Sequence, residues 1–165
     1  MLACTDVGYR ADYAVAACVL FADWTAAAPT SEHISKVSPI VEYVSGEFYR
    51  RELPCLLEVL KHVQSPLDAI IIDGFVWLED GVRKGLGAYL YEAVNGKIPV
   101  IGVAKTRYRT ARALEVCRGK SSTPLFITAI GMDTQLAAQH IQSMHGEFRI
   151  PTLIKRVDFL SRQTI

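Results

Sequence analysis

The chain has 165 residues, half of them hydrophobic and about a fifth charged, with a net charge of +1. That length suits one domain, residues 1–165, with a core large enough to need no covalent staples, and the charge balance alone singles out neither nucleic acid nor a membrane surface as partner. Cys4, Cys18, Cys55 and Cys117 form no CxxC pair, and the first three lie in apolar segments. They read as free thiols with no disulfide partner, as in a cytoplasmic protein. Asp6 and Arg10 interrupt the apolar N-terminal stretch, so no signal peptide is expected. No run approaches the ~18 apolar residues of a membrane span.

Met1 to Arg10 reads as a strand carrying Asp6, and Tyr13 to Phe21 as its antiparallel partner across a short polar link. A turn containing Pro29 leads to a third strand at Glu32 to Val37, which completes a meander. Glu42 to Gly46 is loop-like. From Glu47 to Val63 the apolar residues Phe48, Leu53, Leu56, Leu57, Leu60 and Val63 have helical spacing, with Pro54 marking a first turn or a kink.

Leu67 to Gly74 holds an unbroken apolar run that ends in an acid and a glycine. It predicts a central strand buried on both faces, with Asp73 at the carboxyl edge where open α/β sheets place ligands. Phe75 to Gly81 is expected to be a loop, and Val82 to Val94 a helix stopped by Asn95-Gly96. Ile98 to Ala104 is another buried strand, running into Lys105. Arg107, Arg109, Arg112, Arg118 and Lys120 then make the most basic stretch, which either follows a phosphate backbone or is a solvated surface. A strand over Leu125 to Ile130 ends at Gly131-Met132-Asp133, and helices follow at Thr134 to His145 and Pro151 to Arg162. The order predicts an α/β fold, a mixed central sheet with helices on both faces.

Four acids sit in strand or helix contexts: Asp6 within a strand, Glu52 on the apolar face of its helix, and Asp73 and Asp133 after buried strands. Singly, each has an ordinary role as a cap, a turn residue or an arginine partner. Converging, they would form a negative pocket that is costly unless it binds hard cations, and oxygen-only ligation suits Mg²⁺, with Mn²⁺ as substitute. Phosphoryl transfer is the chemistry such a pocket serves. Trp77 and Phe75 either stack on a base or pack in the core.

These residues also carry a family resemblance. Asp6-Val-Gly-Tyr-Arg10 is similar to a DVSYR-type opening strand, Tyr43-Val-Ser-Gly46 with Arg51-Glu52 and Pro54 to a YIPG…REGP stretch, and Ile72-Asp73-Gly74 to a VDGHG segment. Gly85-Leu-Gly-Ala88 resembles GLAS, and Ile101-Gly-Val-Ala-Lys105 matches IGVAK. In this order the motifs resemble the endonuclease V family, deoxyinosine-directed DNA repair nucleases with a ribonuclease H-like fold.

The resemblance implies that Asp6, Glu52 and Asp73 are metal-binding catalytic carboxylates and Lys105 the active-site lysine. It implies that Tyr43, beside Gly46, wedges a nucleic acid partner (DNA or RNA), with Lys105 and Arg107 also in contact. It implies nicking one phosphodiester to the 3′ side of the lesion, leaving 3′-hydroxyl and 5′-phosphate ends. The family normally has an N-terminal segment before its first catalytic strand, and a divergent member without it is expected here; the sequence also departs from the family in a shortened connection from Lys105 to Gly131, in Phe75 for the signature histidine, and in Glu42 and Ser45 for the wedge prolines. The family's active-site histidine falls on Met132, so Asp133 is expected either to restore a fourth ligand or to cap the following helix. Two alternatives to a nuclease remain: a nucleic-acid-binding protein of the same fold without turnover, and an enzyme acting on a small phosphorylated ligand.

Overall fold

The computed structural model describes residues 1–165. Three meandering strands open the chain, β1 (Leu2–Tyr9), β2 (Ala14–Phe21) and β3 (Ser31–Val37), followed by helix α1 (Phe48–Leu60) and strand β4 (Ala69–Asp73). A small hairpin, β5 (Trp77–Glu79) and β6 (Arg83–Lys84), precedes α2 (Leu86–Ala93), and β7 (Val100–Ala104), β8 (Leu114–Val116) and β9 (Leu125–Ile130) complete the strands. Two helices close the chain, α3 (Thr134–Ser143) and α4 (Thr152–Ser161).

Seven strands form one mixed sheet in the order β3-β2-β1-β4-β7-β9-β8. β1, β4 and β7 run parallel at its centre, and β2 and β9 flank them antiparallel. Alternation along the strands divides the core into two layers. Cys4, Ile71, Val103 and Ile127 pack against α3 and α4, while Ala3, Ile70 and Ile72 pack against α1 and α2. This is the α/β arrangement the residue pattern predicts, with helices on both faces.

Three local expectations are corrected. Residues 77–84 form the β5–β6 hairpin, so the predicted helix begins at Leu86 and not at Val82; the Asp80-Gly81 turn, with Gly81 at φ +68°, reverses the chain before the helix can start. Pro54 lies in the second turn of α1, where its missing N–H costs one ladder bond. The basic stretch contains β8, a three-residue edge strand paired with β9. Its brevity and its central Glu115 hide it from any periodicity.

The basic stretch is also not one surface. Arg118 is buried and donates to the carbonyls of Met144, Gly146, Phe148 and Arg149. Arg149 in turn donates to the carbonyls of Lys105, Thr123 and Pro124. These bonds hold the segment between α3 and α4 against the end of β7.

Helix α4 meets β1 at close range. A Cβ on Gly8 would stand 2.2 Å from the Ser161 carbonyl oxygen, so only glycine lets the helix approach. Arg10 donates to the carbonyls of Ser161 and Gln163, satisfying groups at the helix end and complementing its dipole. Gly8→Ala is therefore expected to cost about 1–3 kcal/mol, as overpacking does, read as a lowered urea midpoint at constant slope.

Candidate active site

β1 and β4 pair in parallel with Thr5 opposite Ile72. Asp6 and Asp73 are the next residue on each strand, so the two carboxylates stand side by side at the sheet's carboxyl edge. Lys105 follows β7 at the same edge, where Asp73 pairs with Val103, and its Nζ donates to Asp73 Oδ2 at 2.9 Å. Glu52 comes from above on α1. Asp6, Glu52, Asp73 and Lys105, with Tyr9 and Phe75, line a cleft of about 440 Å³. Asp6, Asp73 and Lys105 also meet Asp158 of α4 along the narrow crevice beneath.

Crowding and burial set the charges here. Asp6 is 8% and Glu52 4% exposed. Burial, then the charges of Asp6 and Asp73, pushes the Glu52 carboxyl from the ordinary 4.5 up to about 9. Burial also raises Asp6, opposed by a hydrogen bond from Ser161 and reinforced by the charge of Asp73. Desolvation would lower the Lys105 ammonium, but the hydrogen bond to Asp73 and the charges of Asp73, Asp158 and Asp6 outweigh it and hold it above its ordinary value.

The donor set suits a hard cation. Carboxylate oxygens dominate it, and the buried Glu52 Oε2 has no hydrogen-bond partner, an orphaned acceptor that a cation would satisfy. The acids do not already close on one point as a finished coordination shell. Asp73 is held instead by Lys105 and Asp6 by the Ser161 hydroxyl, donors that stand where a cation's charge would be felt.

Asp133 is not brought here. β9 runs antiparallel to β7, with Ile130 opposite Val100 and Phe126 opposite Ala104, so Gly131-Met132-Asp133 leaves at the far edge of the sheet. Asp133 Oδ2 accepts from the Leu136 N–H at 3.1 Å and caps α3, and Met132 packs against the core. The acid that sequence reading missed is Asp158. In the sequence it is a lone acid at the margin of the apolar face formed by Leu153, Ile154, Val157 and Leu160, a placement shared by ordinary solvated residues.

A second cavity of about 590 Å³ opens from Asp73, Gly74 and Phe75. Tyr43, Phe48, Tyr49 and Tyr108 contribute aromatic walls, and Gly46, with φ +80°, turns the rim. Tyr43 is 59% exposed. Arg83 spans the wall, donating to the Tyr108 hydroxyl and the Gly46 carbonyl. Phe75 thus lines the site, whereas Trp77 packs on the core. Arg107 lines neither cavity: it pairs with Glu115 and lies over the Phe126 ring.

The family model described as Endonuclease V matches residues 1–140. Among curated relatives, endonuclease V of Xanthomonas oryzae pv. oryzae is 33% identical over 108 residues, covering 65% of this chain and 44% of that protein. The Geotalea uraniireducens enzyme is 32% identical over 106 residues, covering 62% and 42%. The chain thus spans less than half the length of the curated relatives it matches. Among solved structures, Streptomyces avermitilis endonuclease V superposes with a TM-score of 0.78 at 24% identity, over 98% of this chain and 79% of that one. Ciona intestinalis endonuclease V, in complex with a 24mer DNA containing an inosine followed by a ribo-adenosine, gives 0.76 at 20% identity, over 98% and 83%. These likenesses establish the ribonuclease H-like fold.

The raised Glu52 carboxyl has a measurable consequence. Between pH 4.5 and about 9 the native state keeps a proton that the unfolded chain releases, so this group's contribution to stability falls as pH rises. Metal-free protein is expected to lose urea resistance across that window. Glu52→Gln, neutral at every pH, is expected to flatten the slope when both are unfolded in EDTA.

Proposed function

The chain belongs to the endonuclease V family, whose pattern it carries over residues 1–140, and from that premise we propose that it is a metal-dependent endonuclease. Its substrate is a phosphodiester beside a deaminated, inosine-type base in DNA or RNA. The observation that carries this reading is the meeting of Asp6, Glu52, Asp73 and Lys105 on one cleft that joins an aromatic-walled cavity at Asp73 and Phe75. A phosphate seated at the acids would leave its neighbouring base at that cavity.

Asp6, Glu52 and Asp73 are the residues that would hold Mg²⁺, or Mn²⁺ as substitute. When bound, the cation supplies Lewis acidity at the scissile phosphate and charge for the departing oxygen. Lys105 Nζ, oriented by Asp73, is the donor for a non-bridging phosphate oxygen. Asp158 has Oδ1 paired with Arg162, which leaves Oδ2 to accept the attacking water's proton. Tyr43, Phe48 and Tyr108 receive an unstacked base, where aromatic stacking contributes roughly 1–3 kcal/mol per base. The free thiols of all four cysteines suit action in the reducing cytoplasm.

The decisive measurement is cleavage of end-labelled oligonucleotides, with and without inosine, in Mg²⁺, Mn²⁺ or EDTA. A single nick ending in 3′-hydroxyl and 5′-phosphate is expected only with metal. Asp73→Asn is expected to slow it at least about 100-fold, more than loss of an outer-shell partner does; equal rates would remove Asp73 from the chemistry. Tyr43→Ala is expected to reduce discrimination for inosine more than affinity for undamaged strands. A proportional loss on both would limit Tyr43 to general binding.

A further inference from the structure

We propose that Ser161 is a positioning residue that fixes the rotation of the Asp6 carboxylate for cation binding; this rests on the metal-dependent reading above. Ser161 is 1% exposed on the last turn of α4, 155 residues from Asp6 in sequence, and its Oγ donates to Asp6 Oδ2 at 2.6 Å. The hydroxyl has one proton and two acceptors in reach, because the Asp158 carbonyl lies 2.9 Å away. A helical serine ordinarily uses such a carbonyl on the preceding turn. Here the shorter contact goes to the carboxylate, as charge-assisted bonds do.

The backbone around Ser161 is held by the strand that carries its partner. Gly8 lets the Ser161 carbonyl come within what would be 2.2 Å of a Cβ, and Arg10 donates to the carbonyls of Ser161 and Gln163. Asp6 and Gly8 share one face of β1 and Arg10 follows the strand's last residue, Tyr9, so one short stretch of chain supplies the carboxylate and the two features that fix the hydroxyl above it. With Oδ2 taken by Ser161, Oδ1 is the oxygen that no side chain engages. Ser161 therefore presents Asp6 as a one-oxygen ligand in a set orientation, as groups behind metal ligands do. Asp158 stands three residues earlier on the same helix, so α4 brings the fourth acid and the orienting hydroxyl to the site together.

The test compares the full-length parent with Ser161→Ala, metal-stripped, by Mn²⁺ titration with paramagnetic resonance, circular dichroism and nicking at rising Mn²⁺. The expected result is a native spectrum, a Kd for Mn²⁺ raised about 10–100-fold, and a nicking rate that recovers most of its loss at saturating Mn²⁺. Ser161→Cys keeps the volume and a weak donor, and is expected to fall between the two; should Ser161→Ala not fold, Ser161→Cys carries the comparison. A folded variant with a Kd within twofold of the parent overturns the proposal, as does a lowered melting temperature with unchanged Mn²⁺ affinity. A parent that binds no Mn²⁺ overturns the metal reading itself, and the role of Ser161 with it.

Discussion

Like charges at the edge of an apolar sheet repel more strongly than the same groups in water, because little solvent stands between them. Asp6 and Asp73 cannot relieve that repulsion by separating. Each is the residue after a paired position of β1 and β4, and a slip of register would turn every core side chain on those strands to the wrong face. The relief is local and uneven. Asp73 has the Lys105 ammonium and Asp6 has the Ser161 hydroxyl. Glu52 has neither, and it is the acid whose proton is held up to about pH 9. Burial is the first cause of that hold, and the charges of Asp6 and Asp73 add to it.

The second cavity shares Asp73, Gly74 and Phe75 with the acid cleft. One short turn therefore serves both, and its freedom comes from Gly74 at φ +135°. The Val76 N–H that follows is fixed by the Thr128 hydroxyl on β9, and Gly102 of β7 leaves room for the Gly74 carbonyl, which would stand 2.5 Å from any Cβ there. The chain can thus turn from the acid of the cleft to an aromatic wall of the second cavity within two residues.

Much of this was legible in the residues. The run from Ala69 to Ile72 declares a strand buried on both faces, and Asp73 its end. Glu52 is legible as an acid on an apolar helix face, and Lys105 as a cation at the end of a buried strand. Strand direction was not legible. Leu125 to Ile130 reads the same in either sense, and only its antiparallel pairing with β7 sends Asp133 to the far edge. Asp158 was hidden for a related reason: a lone acid in an amphipathic helix looks like any solvated residue until the helix is docked. The β5–β6 hairpin and β8 are too short to establish a period, and the burial of Arg118 depends on a loop 26 to 31 residues later.

The docking of α4 relies heavily on main-chain atoms. Arg10 grips carbonyls at its end, Gly8 makes room for a carbonyl, Arg118 binds carbonyls of the segment leading into it, and Arg149 of that segment binds the carbonyls of Lys105, Thr123 and Pro124. A carbonyl oxygen is present whatever side chain its residue bears. The outward positions of this helix and its leading loop can therefore drift freely through substitution, while Asp158 and Ser161 keep arriving at the same place. Constraint falls on the residues that do the gripping and on the buried face of Leu153, Ile154, Val157 and Leu160, and the exposed remainder of the helix carries little of the site's shape.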